Sequence, residues 1–405
     1  MTTISSRPVA SSPPPIAQSG PVAWLKKHLF NTWYNAILTV VLGLVLASSA
    51  WGIFNWIFSI AQWAVIPNNL ALFMSGLYPN DQYGRIWAML AVIVTMAGLS
   101  WGVLGRNLSP LFSRPLLVWL GILCALTIVF PLTRPNAPIL IGLIVWTCAL
   151  ALAGQWLARQ YKGMGKWLSA GWFATYFINL WLLGGGLFLE TVKTSSWGGL
   201  TLTLLLAVSG IALCFPIGVV LALGRRSDLP VVKGLSIAYI ELVRGVPLIS
   251  ILFMGQVMIP LFLPEGVRPD RIVRAIIGLT IFSSAYLAEN VRAGLQAVPQ
   301  GQFEAAASLG LNKPLTLALI VLPQALKTAI PAIVGQFISL FQDTTLLGVV
   351  GLVELLGISN SVLANPSYLG RYSEVYLFIA LMYWFFCYAM SLGSRRVEKA
   401  LHTGR

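Results

Sequence analysis

The sequence predicts an all-α polytopic membrane protein with about ten transmembrane helices. Three observations predict it. The 405 residues are 57% hydrophobic and only 9% charged, where an average soluble domain carries about 25% charged residues. Mean hydropathy is +0.81. The apolar residues are gathered into runs of about 20, the length that crosses a hydrocarbon core, and most Lys and Arg residues lie between the runs.

Residues 1–22 are rich in Ser, Pro and Thr and hold no apolar core, so they read as a disordered tail and not as a signal peptide. "WLKKHLF" (24–30) follows as a basic, aromatic interfacial anchor, and residues 1–35 form one terminal segment. Five apolar runs, about 36–63, 86–104, 115–132, 138–158 and 167–189, make a transmembrane extension over 36–190. The fifth is weakened by the triple glycine of "GWFATYFINLWLLGGGLFL". Five more runs, about 198–223, 233–263, 272–291, 325–352 and 373–393, make a second transmembrane unit over 195–393. Pro247 and Pro331 predict a kink, or a change from spanning to lateral helix, in two of them. Residues 394–405 are a basic tail.

The charges orient these spans. With a cytoplasmic N-terminus, inside loops receive Lys26 and Lys27, Arg106 and Arg114, Arg159, Lys162 and Lys166, Arg225, Arg226 and Lys233, and Lys313 and Lys327. An even number of spans returns Arg395, Arg396, Lys399 and Arg405 to the same side. The opposite orientation places most basic residues outside, against the positive-inside rule. The net charge of +14 therefore reads as topology, not as a nucleic-acid surface. Cys124, Cys148, Cys214 and Cys387 each lie in an apolar run without metal-ligand spacing, and His28 and His402 are near the chain ends. Neither set supports a metal site or histidine catalysis. Trp24, Trp33, Trp63 and Trp197 lie near span ends, which favours an interfacial belt over an aromatic substrate cage.

Topology leaves one long inside loop, 292–324, and its centre is the polar stretch "VPQGQFEAAASLGLNKP" (298–314). Pro299-Gln300-Gly301 breaks the preceding helix. "QFEAAASLG" reads as a short helix with Glu304 near its start, where the dipole favours a carboxylate. Gly310 suits the left-handed residue that ends a helix, and Pro314 the first turn of the next. Ala305, Ala306 and Ala307 let another surface approach closely.

The spacing Glu304-Ala305-Ala306, Gly310, Ile320, Leu322-Pro323 resembles the EAA loop of permease subunits in ATP-binding-cassette (ABC) importers. "YIELVRGVPLI" (239–249), "SSAYLAENVRAGLQAVPQGQFEAA" (283–306) and "LPQALKTAIPAIVGQFISLFQDTTLLG" (322–348) narrow this to the polar amino-acid permease family. The long N-terminal region is similar to that of one permease of general L-amino-acid importers. The resemblance implies a type I importer core over 195–393, preceded by a helical extension, with its EAA loop (299–323) forming coupling helices that dock on an ATPase subunit. It implies import of L-amino acids, polar or charged ones favoured. It further implies an ATPase dimer that binds ATP and Mg, a second related permease completing a heterodimeric path, and a periplasmic binding protein. The site is a bacterial inner membrane, with lipid and no nucleic acid as surroundings. Gln342 stands where the family usually has lysine.

Within the chain no cofactor site is expected. The phosphate-binding pattern G-x-x-x-x-G-K-[ST] is missing, since "GMGKW" (163–167) has Gln160 and Trp167 at two of its positions. An ion-coupled transporter predicts inverted repeats, which the two halves do not show, and no cluster of His, Cys and carboxylates supports an enzyme.

Charges inside apolar runs are costly, so they are candidates for pathway or gate. Glu241 with Arg244, and Glu289 with Arg292, are spaced to pair on one helix face. Two readings are open, structural pairing and gating. Arg244-Gly245-Val246-Pro247 resembles the family's RGTP turn. Gln336, Ser339 and Asp343 form a polar stripe, followed by Thr344. The stripe either lines the route or joins helices by hydrogen bonds.

Overall fold

The computed structural model describes residues 21–107, 111–129, 132–161, 163–264 and 266–402. Most of the expected disordered tail lies outside these residues. Each of the ten apolar runs holds a helix among the described residues. The first five are α1 (Trp33–Asn55), α2 (Tyr83–Leu104), α3 (Arg114–Val129), α4 (Ala137–Gln160) and α5 (Trp167–Gly184). The second five begin with α6 (Gly199–Arg225), α7 (Pro230–Gly245), α8 (Leu248–Phe253) and α9 (Arg271–Gln296). After α10 (Gln300–Ser308) and α11 (Lys313–Leu315) come α12 (Leu322–Asp343), α13 (Leu355–Leu363) and α14 (Tyr372–His402).

Among the described residues, seven helical stretches are long and apolar enough to cross a membrane, and the bent pair over 230–262 makes up to eight. α3, with 16 residues, is shorter. α5 spans 18 residues diluted by Trp, Tyr, Asn and Gly. It stops at Gly184, short of the expected 189. Gly185 and Gly186 take positive φ of 75° and 95° and turn the chain back, and Gly186 pairs with Leu189.

The chain divides into two compact units, residues 1–62 and 63–405. In the first, α1 runs on through one π turn to Ile60 without burying any of its apolar window (0%). In the second, α2 and α4 pack closely enough that a Cβ added to Gly102 would lie 2.0 Å from the Ala151 carbonyl. The boundary near 190–195 drawn from the sequence falls within one hydrophobic cluster. Tyr78, Leu183 and Val192 pack there with Leu202, Leu252 and Leu279.

Pro247 breaks the seventh run. It has no N–H, and it forces Val246 into extended backbone (φ −106°, ψ 134°). α7 and the helical stretch after it meet at 103°. Pro331, by contrast, sits inside the continuous α12. Trp197 corrects the belt reading. It is 9% exposed and belongs to the core, whereas Trp24 and Trp33 are 56% and 77% exposed.

Candidate functional site

Pro299 precedes α10, and Gly310 ends it at φ 75°. Gly310 N donates to the Ala307 carbonyl (2.9 Å) and Leu311 N to the Ala306 carbonyl (3.1 Å), the hydrogen-bond pair of a glycine-terminated helix. Asn312 then caps α11, its Oδ1 accepting from Leu315 N at 3.0 Å. A π turn over 316–321 carries the chain into α12. The expected helix pair joined at a glycine is therefore present. One detail differs. α10 starts at Gln300, so Glu304 lies one turn in and not in the first turn, where the dipole acts less on it.

Burial divides the EAA residues. Ala306 is buried, while Phe303, Leu317 and Leu322 pack against Leu295, Val321 and Ala325. Glu304, Ala305, Ala307, Ser308, Leu309 and Gly310 face outward, with Leu309 80% exposed. Ile320 is half-buried, and its carbonyl accepts from Gln324 Nε2 at 3.0 Å. Gln324 Nε2 also donates to Gln302 Oε1 of α10 (3.0 Å). Pro323 is exposed in the first turn of α12. Lys313 Nζ donates to Asp228 Oδ2 at 2.6 Å, and that hydrogen bond holds the Asp228 carboxyl below the usual carboxylate range.

The second feature lies where α6, α7 and α9 meet. Glu289 Oε1 accepts from Arg225 Nη1 at 2.6 Å, Glu289 Oε2 from Arg292 Nε at 2.8 Å, and Arg244 Nη1 stands 3.8 Å from Glu289 Oε1. Glu241 Oε1 is 3.1 Å from Arg225 Nη1. The Arg244 guanidinium lies 5.4 Å from the centre of the Tyr286 ring. The expected Glu289–Arg292 pair forms. The expected Glu241–Arg244 pair does not, because α6 brings Arg225 to Glu241 and α9 brings Glu289 and Tyr286 to Arg244. Gly245 and Pro247 are exposed at the break beside them.

On α12, Ser339 is exposed and Gln336 and Asp343 are half-buried. Thr344 departs from this stripe. It is 0% exposed, and its Oγ1 donates to the Phe341 carbonyl at 2.7 Å. Gln342 Nε2 reaches Cys387 Sγ at 3.7 Å.

Three groups escaped the sequence reading. Arg225 was absorbed into the basic loop signal, although it links three helices. Tyr286 carries no charge to mark it. Glu354, between the spans 313–350 and 372–401, is 0% exposed and caps α13, accepting from Leu356 N and Gly357 N at 2.7 Å each. Burial pushes its carboxyl up to about 7.

Residues 214–403 match the family described as binding-protein-dependent transport system inner membrane component. An inner membrane amino-acid ABC transporter permease protein of Escherichia coli K12, YhdY, is 39% identical over 95% of this chain and 94% of its own length. The glutamate/glutamine/aspartate/asparagine transport system permease protein BztC of Rhodobacter capsulatus is 36% identical over 97% of this chain and 96% of its own. A chain from the crystal structure of an amino acid ABC transporter with histidines is 28% identical, with 58% of this chain and 98% of that chain covered at a TM-score of 0.45.

Proposed function

This chain belongs to the family of amino-acid ABC importer permeases of the bacterial inner membrane, and we propose that its outward-facing helix pair 300–315 receives the stroke of a separate ATPase dimer. The observation that carries this is the division of the EAA residues. Ala306 is buried and Phe303 packs against the cluster of α9 and α12 residues, while Glu304, Ala305 and Gly310 are left free for a partner. Force applied to the outer face then reaches the membrane helices through packed side chains, since α10 cannot move without Phe303 pushing on the α9–α12 cluster.

The rest of the assembly is part of the same reading. A second, related permease completes the path, a periplasmic binding protein delivers cargo, and both termini of this chain are cytoplasmic. The partner ATPase holds ATP and Mg. The cargo is an L-amino acid with a polar or charged side chain, in keeping with what the Rhodobacter relative is named for. Within this chain, Glu241, Arg244, Gly245, Pro247, Glu289, Arg292, Gln336, Ser339 and Asp343 are the path and gate residues, while the fully buried Thr344 is left out of the path and packs beside it.

The test is reconstitution of the complete complex in liposomes with Gly310→Asp. The backbone at φ 75° makes this change cost about 1–2 kcal/mol of strain, and no atom lies within 4 Å of the added Cβ, so the fold remains. The expected result is an assembled complex with at least a tenfold loss of ATP-driven amino-acid uptake. Uptake at the wild-type rate, or uptake driven by an ion gradient without ATP, would overturn the proposal.

A further inference from the structure

A groove of about 510 Å³ runs between α6, α12 and α14. Phe215 of α6, Leu326, Ile330 and Phe337 of α12, and Met390 and Gly393 of α14 line it. The Phe215 and Phe337 rings meet edge to face at 6.4 Å, well inside the spans. Leu326 and Val397 mark the other end, near where α12 begins and α14 finishes. Gly393 holds the groove open, since no atom stands within 4 Å of where its Cβ would be. Among the described lining residues Ser394 alone is polar, and its hydroxyl donates to Glu398 Oε1 at 2.7 Å. The lining therefore offers a polar solute almost no partner, and an apolar occupant fits it.

Direction, length and charge say what fills it. At about 100° per residue, Ile330, Ile333 and Phe337 lie about 120° round α12 from the polar stripe Gln336, Ser339 and Asp343. In the import reading the stripe lines the path, so a second permease stands on that side and the groove opens away from it, toward the bilayer. From Leu326 to Phe337 the helix rises about 16 Å, close to the ~15 Å of hydrocarbon in one leaflet. At the Leu326 end the two helices carry Lys327, Arg395, Arg396 and Lys399 against the one carboxylate of Glu398. Lys327, Arg395 and Arg396 are exposed and make no ion pair among the described residues. Positive-inside topology explains the side on which these cations lie, but not the apolar groove that ends among them. We propose that the groove holds one acyl chain of an anionic phospholipid, with its phosphate at the Lys327, Arg395 and Arg396 end. Bulk lipid wets every outer face of the protein, whereas a concave lining with cations at its mouth retains one molecule. The seated chain braces α12, the helix that leaves the coupling pair, against α6 and α14. The import reading enters only in the choice of a lipid over a helix of the second permease.

The test is a lipid titration of the complete complex, purified in detergent and stripped of loosely held lipid, read by native mass spectrometry. The probes are phosphatidylglycerol and phosphatidylcholine with identical acyl chains. Wild type should bind phosphatidylglycerol about fivefold tighter than phosphatidylcholine, the value of one cation beside an anionic headgroup. Gly393→Leu puts a side chain into the groove and should weaken both lipids about tenfold, the value of about two methylenes kept out of apolar contact. Gly121→Leu on α3, where a Cβ likewise meets no atom within 4 Å, should change neither. Replacing Lys327, Arg395 and Arg396 together by Gln should remove the preference for phosphatidylglycerol and leave phosphatidylcholine binding unchanged. Val397→Trp, at the other end of the groove, repeats the block if Gly393→Leu fails to fold. Equal binding of the two lipids by wild type, or lipid binding untouched by both blocks, would overturn the proposal. If the blocked chains stay monodisperse alone yet no longer join the complex, a permease helix fills the groove and the proposal falls. Lipid binding as expected in a complex without ATP-driven uptake would leave the lipid site standing and sink the import reading instead.

Discussion

Replacing Glu289 by Gln removes one charge and keeps the side-chain shape. The side chain is 15% exposed and meets three arginines, Arg225 at 2.6 Å, Arg292 at 2.8 Å and Arg244 at 3.8 Å. Breaking a buried ion pair from one side costs about 3–5 kcal/mol, because the orphaned charge stays where it is. Here three cations are orphaned, with only Glu241 remaining. Their exposure of 25–37% admits water and lowers the cost of each. The net expectation is a loss of about 2–4 kcal/mol. Denaturant unfolding of the purified chain in detergent measures it, with Arg225→Gln and the double variant closing a cycle. The two single losses should exceed the double by about 1–3 kcal/mol in coupling. A loss below about 0.5 kcal/mol, or an additive cycle, would refute Glu289 as the common counter-charge.

Two further outcomes follow from other positions. Glu354 has its carboxyl raised by burial from 4.5 to about 7; a raised carboxyl favours the folded state while protonated, so thermal stability in detergent should fall between those two pH values, and Glu354→Gln should flatten that slope while keeping an acceptor for the cap. Gly294→Val should destabilise by about 1–3 kcal/mol, since its Cβ would lie 2.4 Å from the Ala325 carbonyl and 2.9 Å from Ala329 Cβ; Gly301→Ala, with no atom within 4 Å of its Cβ, should show no such loss in the same unfolding assay.

The coupling loop was legible because its causes are local. Pro299 precedes a helix, Gly310 ends it and Asn312 starts the next, each by hydrogen bonds to residues a few positions away. The start of α10 was misread by two residues because "PQG" looks like a breaker, while Gln300 and Gly301 already belong to the helix. The α5 boundary was read five residues too long because the apolar run continues after the backbone has turned at Gly185. Trp197 was misread for a different reason. Its nearness to a span end is a property of the chain, but its burial comes from Leu183, Val192 and Leu202 around it.

By itself the sequence determined the class of protein, the places of its apolar helices and the spacing of its coupling loop. Composition sets the solvent a chain folds in, and periodicity and turn residues act within one helix or one turn. Only the tertiary structure decided which charges meet. Arg225 and Glu289 are 64 positions apart, so their contact depends on how α6 and α9 abut. Two residues at i, i+3 can pair, but whether they do depends on what neighbouring helices offer each of them. At Glu289 and Arg292 the helix's own spacing held. At Glu241 and Arg244 the neighbouring helices took both heads, and a pair that local spacing favours became two separate, half-exposed charges.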